Sequence, residues 1–167
     1  MLQCDRSTNE DPDIDSCKEV VEELYKAGEK KLGTDEPIFN KHFAKLSPTE
    51  LMVVAREYHK AHGKSLYDVI DSEFSFNIKK LLRTIMYSLI SPSEYFATRI
   101  YQAIKGAGTN DKMLIRVIVT RHEIDMSTIK QYFKQLYGKD MAKEVADDVS
   151  GDYKKLLIGL LNKSKNE

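Results

Sequence analysis

The chain has 167 residues, enough to bury a sizeable core as one domain or two small ones. Its 26 basic and 26 acidic side chains cancel, which argues against a nucleic-acid binder held by global charge. No apolar run approaches the roughly 20 residues that span a bilayer, and Met1 to Asp15 lacks the apolar core of a secretory signal.

Residues 1 to about 16 read as a polar, acidic leader or linker, held by little. Cys4 and Cys17 are too few for a disulfide scaffold, so a reducing cytosol is the expected compartment. From there on, helix signals dominate. Val20, Val21, Leu24 and Tyr25 share one face of a first helix. A second starts after Thr34 or Asp35, with Pro37 tolerated in its first turn. Ser47-Pro48-Thr49-Glu50 is a capping box, and the helix it opens stops at Gly63, a residue suited to the left-handed C-terminal position. Ser75 can cap another helix, in which Ile78, Leu81, Leu82, Ile85, Met86 and Leu89 follow a helical period.

Ser91-Pro92-Ser93-Glu94 reads as a second capping box. Its helix carries Phe96, Ala97, Ile100, Tyr101 and Ile104 inward. Leu114, Ile115, Val117 and Ile118 belong to the next, and Ile129, Tyr132, Phe133 and Leu136 to one closed by Gly138. The last carries Tyr153, Leu156, Leu157, Leu160 and Leu161. The expectation is an all-α chain of two units, each of about five short helices, with no sustained strand alternation.

The two units repeat. Gly33-Thr34-Asp35-Glu36 is answered by Gly108-Thr109-Asn110-Asp111, and Gly63-Lys64 by Gly138-Lys139. Glu73-Phe74-Ser75 is answered by Asp148-Val149-Ser150. The offsets 108 − 33, 138 − 63 and 148 − 73 all equal 75. In each unit an acidic residue follows the loop glycine by 40 (73 − 33 and 148 − 108). The first loop is one residue longer, since Tyr25 lies eight residues before its loop glycine and Tyr101 seven (33 − 25 and 108 − 101). Calcium takes six to eight oxygens, many of them main-chain carbonyls. A glycine-rich loop can aim several carbonyls at one point, and Glu73 or Asp148 could add a bidentate carboxylate. One such copy would read as an ordinary helix end; two at the same spacing favour a repeated ion site. Open positions and incomplete charge neutralisation call for an outside anionic oxygen.

Here the chain resembles the annexin family. The resemblance rests on Lys105-Gly106-Ala107-Gly108-Thr109-Asn110-Asp111, Leu114-Ile115-Arg116-Val117 and Arg121-His122-Glu123-Ile124-Asp125. Ser150-Gly151-Asp152-Tyr153-Lys154-Lys155-Leu156 adds to it, as does the loop Ala27-Gly28-Glu29-Lys30-Lys31-Leu32-Gly33-Thr34-Asp35-Glu36, which is similar to that of the family's third repeat. The second unit is similar to the fourth, so the chain looks like the C-terminal half of a four-repeat protein. Its expected parts are a leader at 1–16, similar in Met1 to Arg6 to the end of a preceding repeat, and repeats at 17–90 and 91–167. The resemblance implies two five-helix annexin-type repeats in a right-handed superhelical arrangement. It implies calcium-dependent, peripheral binding to acidic phospholipid membranes by a cytoplasmic protein that moves to membranes when calcium rises. It implies no enzymatic activity and no nucleic-acid partner. An alternative is a calcium-independent helical scaffold for protein partners.

By the same resemblance, Ca²⁺ in the first unit would be held by the carbonyls of Gly28, Lys31 and Gly33 and the carboxylate of Glu73. In the second it would be held by the carbonyls of Ile104, Gly106 and Gly108 and by Asp148. Thr34 with Glu36, and Thr109 with Asp111, are candidates for weaker secondary sites. Leu32 stands where the family presents an apolar tip to the bilayer, and Lys30, Lys31 and Lys105 sit in the loops where headgroups would lie. The sequence departs from the family at Leu46, where the second unit has Arg121, and at Phe76, where the second unit has Gly151. The Phe76 change puts the geometry at Glu73 in question. With two repeats in place of four, helix faces lose expected neighbours, which makes a homodimer a candidate assembly.

Other patterns are weaker. Asp11, Asp13, Asp15 and Glu22 match an EF-hand loop in part, but its glycine position is Ser16. Gly106-Ala107-Gly108 follows a helix rather than a strand, unlike a dinucleotide fingerprint. His59 and His62 read better as a solvated helix face than as zinc ligands. Asn162-Lys163-Ser164 is a glycosylation sequon by pattern and, with no signal core in Met1 to Asp15, is expected to be idle.

Overall fold

Side-chain caps set five of the ten described helix starts. The computed structural model describes residues 6–163, and these form ten α-helices and no strand. They divide into two compact units, Met1–Ile90 and Ser91–Glu167. The first holds α1 (Ile14–Ala27), α2 (Glu36–Lys45), α3 (Pro48–His62), α4 (Leu66–Glu73) and α5 (Phe76–Ile90). The second holds α6 (Pro92–Ile104), α7 (Asp111–Arg121), α8 (Met126–Tyr137), α9 (Met141–Asp148) and α10 (Gly151–Asn162).

The Ser47 capping box closes in both directions. Ser47 Oγ accepts from the Glu50 amide at 3.1 Å, and Glu50 Oε2 accepts from the Ser47 amide at 2.7 Å. Ser65 and Asp68 form a second box at the start of α4. Asn110 caps α7 and Asp140 caps α9. At Gly63 and Gly138 the chain turns left-handed, with φ of 73° and 68°, and each glycine amide bonds back to the carbonyl four residues earlier.

Each unit has its own core. In the first, α1 lies on α3 and α2, and α5 closes against α3 and α4. Leu24, Phe39, Phe43, Leu51, Tyr58, Ile70 and Leu82 are buried between them. In the second, α6 lies on α8 and α7, while α10 packs on α9 and α7 around Ile100, Leu114, Ile118, Ile129, Phe133 and Leu161. Burying such a side chain completely stabilises by about 1.5–3 kcal/mol. Leu81 and Leu156, equivalent under the 75-residue offset, stay about half exposed despite their helical spacing.

Two expectations are corrected, and one discounted pattern stays discounted. Ser91 makes no side-chain cap; its backbone lies outside the usual capping region, and Ser93 instead donates to Asp125 Oδ2 at 2.7 Å. The stretch before α1 is tied down from Arg6 onward. The Arg6 guanidinium donates to the carbonyls of Phe43 and Leu46, the Ser7 amide to Lys45 O at 2.8 Å, and Thr49 Oγ1 to Asn9 O at 2.6 Å. A cation there complements the C-terminal dipole of α2 and supplies an arginine to a unit that has Leu46 in place of Arg121. The acidic run is no EF-hand loop: Asp13 caps α1, and Asp15 and Glu22 lie within that helix. Cys4, Ser164 and the segment 1–5 lie outside the described residues. Among the described residues, no helix is long and apolar enough to cross a membrane.

Candidate metal centres

Each unit presents one glycine loop between its first two helices. A single backbone hydrogen bond closes the base of each: Asp35 N to Ala27 O at 2.7 Å, and Asn110 N to Ala103 O at 2.8 Å. The first bond spans eight residues and the second seven (35 − 27 and 110 − 103), so the extra residue lies above the pin. Gly33 and Gly108 hold φ of 82° and 91°, a region that other residues enter only at a cost of roughly 1–2 kcal/mol. Residues Lys31 to Gly33, and Lys105 to Gly108, are exposed.

The carboxylate 40 residues on meets each loop. Thr34 Oγ1 lies 2.7 Å from Glu73 Oε2, and Thr109 Oγ1 lies 2.6 Å from Asp148 Oδ2. Each threonine hydroxyl also approaches the backbone carbonyl of the same acid, at 3.2 and 3.3 Å. A Cβ built on Gly28 would meet Glu73 Cγ at 3.4 Å, so loop backbone and acid are in close approach. In the second unit, the Gly108 carbonyl oxygen lies 3.6 Å from where a Gly106 Cβ would stand. Ile104, Lys105 and Asp148 share an open recess of about 430 Å³ with Tyr101, Lys139, Glu144 and Asp147.

This donor set fits a hard cation that accepts carbonyl oxygens. Among the described residues there is no group of three or more His, Cys, Asp or Glu placed to hold a metal. Loop backbone with a nearby carboxylate offers the oxygen donors that calcium accepts. His62, considered above for zinc, stacks on the Tyr25 ring at 3.9 Å.

The candidate secondary residues behave differently. Thr34 and Thr109 spend their hydroxyls on the main carboxylates. Glu36 lies exposed in the first turn of α2. Asp111 faces the Tyr153 phenol, and burial together with that carboxylate pushes the phenol up to about 12. The loop lysines are also distinct. Lys30 is exposed, Lys31 Nζ lies 3.8 Å from Asp35 Oδ2, and Lys105 folds back over the Tyr101 ring at 4.6 Å. Leu32 is fully exposed.

Phe76 takes φ of 46°, the left-handed backbone that Gly151 takes at 63°. The departure at this position therefore appears as strain, of roughly 1–3 kcal/mol for such a residue, while the Glu73 approach matches that of Asp148.

A group that sequence reasoning passed over braces the first loop. Glu29 Oε2 accepts from the Tyr58 hydroxyl at 2.8 Å, and Oε1 pairs with the Lys64 ammonium. Burial alone would raise the Glu29 pKa, but these two donors outweigh it and hold the carboxyl below its ordinary value. The Tyr58 phenol is pushed well up by burial and by Glu29. The second unit has Phe133 where the first has Tyr58 (133 − 58 = 75), and its shorter loop has no counterpart of Glu29. An inserted acid and a paired hydroxyl in the same unit were the available signal.

With this geometry in view, comparison with known proteins places the chain. The annexin family model matches residues 20–85 and 95–160. Annexin B10 of Drosophila melanogaster is 42% identical over 150 residues, covering 89% of this chain and 47% of that protein. The solved structure of annexin III superposes with a TM-score of 0.91 at 32% identity, over 96% of this chain and 50% of that one. A calcium-bound annexin (Sm)1 gives 0.82 at 28% identity, over 92% of this chain and 42% of that one. The chain belongs to the annexin family, and its all-α class of two five-helix repeats is that family's. It spans about half the length of the relatives it matches.

Proposed function

We propose that the chain binds acidic phospholipid membranes in a calcium-dependent, peripheral manner through both loops. The observation that supports this most directly is the twofold approach of loop threonine to distant carboxylate, at 2.7 and 2.6 Å. The carbonyls of Gly28, Lys31 and Gly33 with Glu73 would hold one ion. Those of Ile104, Gly106 and Gly108 with Asp148 would hold the other. Bound Ca²⁺ supplies positive charge and open coordination positions that an anionic headgroup oxygen can fill. The chain's own part is to keep each carboxylate beside its loop before any ligand arrives. The threonine hydroxyls do this by hydrogen bonding, and the pins at the loop bases hold the backbone in place. Lys30, exposed in its loop, adds attraction for an anionic surface worth about 1 kcal/mol per residue near such a surface. No covalent step is required.

Sedimentation with phosphatidylserine vesicles, with calcium or with a chelator, tests the reading. Calcium-dependent pelleting that Glu73→Gln and Asp148→Asn both weaken is expected. Pelleting that ignores the chelator would overturn it, and no pelleting in either condition would favour the protein-scaffold alternative.

A further inference from the structure

Phe76 combines two unfavourable features. Its backbone sits at φ of 46°, and among the described residues it is the one non-glycine residue at positive φ. Its ring is 90% exposed. A bulky side chain at positive φ is strained, and an exposed ring gains nothing from the core to offset that strain. The equivalent residue in the other unit is Gly151, which takes the same turn without strain. Folding of the first unit therefore does not explain the phenylalanine.

Its location suggests what does. Phe76 is three residues beyond Glu73, whose carboxylate touches Thr34 at 2.7 Å. Leu32, also fully exposed, is two residues before Thr34. Three extended residues span at most about 11 Å, so both exposed apolar residues lie near the same candidate ion centre. We infer that Phe76 is a second apolar anchor of the first unit, inserted among lipid acyl chains just below the headgroups when the Glu73 centre engages a membrane. This rests on the calcium-dependent membrane reading. The occupant is lipid rather than protein because Phe76 lies three residues from the acid that contacts the loop bearing Lys30, whose backbone oxygens and charge suit an ion and an anionic headgroup. An aromatic ring suits the interfacial depth at which such a short protrusion would end.

The chain contains no tryptophan, so Phe76→Trp gives a single reporter. With calcium and phosphatidylserine vesicles, its emission shifts to the blue and is quenched by lipids brominated on the acyl chains. Phe76→Gly melts no lower than the parent, because it relieves strain and removes little packing. It nevertheless binds the same vesicles about tenfold more weakly, the low end of what burying one phenylalanine supplies. Its calcium affinity without vesicles stays unchanged, which separates anchoring from a change in the geometry at Glu73. If the parent pellets with calcium while the tryptophan emission does not move and Phe76→Gly binds like the parent, the inference fails alone. If the parent does not pellet, the inference and the membrane reading fail together. A blue shift that grows with protein concentration in the absence of vesicles would assign the ring to a second copy of the chain and overturn lipid insertion.

Discussion

Tyr58→Phe isolates the brace on the first loop. Tyr58 is fully buried, and its hydroxyl donates to Glu29 at 2.8 Å. The second unit already places phenylalanine in the equivalent slot, with Phe133 fully buried, so the substitution should leave no cavity of consequence. What is lost is one hydrogen bond to a charged acceptor, about 1.5–3 kcal/mol. Glu29 keeps Lys64, and its side chain is 11% exposed, so some water can compensate. The low end, about 1.5 kcal/mol, is expected. Cys17 is buried in the same core and gives a local readout. Its labelling by a thiol reagent, resolved by peptide mass, should speed up roughly tenfold where opening precedes labelling. Glu29→Gln should remove most of the effect, because the hydroxyl would then donate to a neutral acceptor. Equal cost of Tyr58→Phe in the parent and in the Glu29→Gln background would refute the assignment. The reverse change, Phe133→Tyr, should destabilise the second unit by about 1–3 kcal/mol, since no glutamate stands ready for the buried hydroxyl.

Other outcomes follow from the same contacts. Thr34→Val and Thr109→Val should each weaken calcium-dependent vesicle binding several-fold with little change in melting, since the carboxylates lose their tether; vesicle titrations check this. Calcium alone should bind weakly, on the order of 10⁻⁴ M or poorer, and acidic vesicles should tighten it, as calorimetry can show. Asp125→Asn removes the charge and one of the two oxygens that accept from Ser93 and Arg121, and urea unfolding should show a loss of about 1–3 kcal/mol. Glu29 is held below its ordinary carboxyl value of 4.5 by Lys64 and Tyr58 against the opposing effect of burial. Its contribution to stability is fully present above that value and is lost as pH falls through the lowered one. Acid titration of the Glu29→Gln variant against the parent should show the two stabilities converging only on that limb.

Much of the fold was legible because its signals are local. Ser47-Pro48-Thr49-Glu50 spells a capping box, and Gly63 and Gly138 stop their helices in left-handed backbone as expected. The 75-residue repeat paired each loop with its acid before any coordinates, and the threonine–carboxylate contacts bring those same residues together. Ser91 misled because an identical pattern can be spent elsewhere: its neighbour Ser93 reaches Asp125, 32 residues away. The fourth helix of each unit, α4 and α9, went unmarked between its neighbours. Each is eight residues long, too short for a clear period, although Ser65 with Asp68 was a usable start signal. The Glu29 brace and the Arg6 tie depend on contacts 29 to 40 positions apart, which no local pattern encodes.

The backbone pins at the loop bases have a consequence for variation. Ala27 and Ala103 differ in position by 76, whereas Asp35 and Asn110 differ by 75, so one residue enters between the anchor points and nothing downstream shifts. Loop length is thus decoupled from the register of the helices, while the Glu29 brace and the Thr34 contact still tie the first loop to its own bundle. The loop's length and tip can diverge between copies while both helical bundles stay in register. A graft of residues 28–34 into the gap between Ala103 and Asn110 should keep the helical register of the second unit, but it needs Phe133→Tyr beside it so that the incoming Glu29 regains a hydroxyl partner.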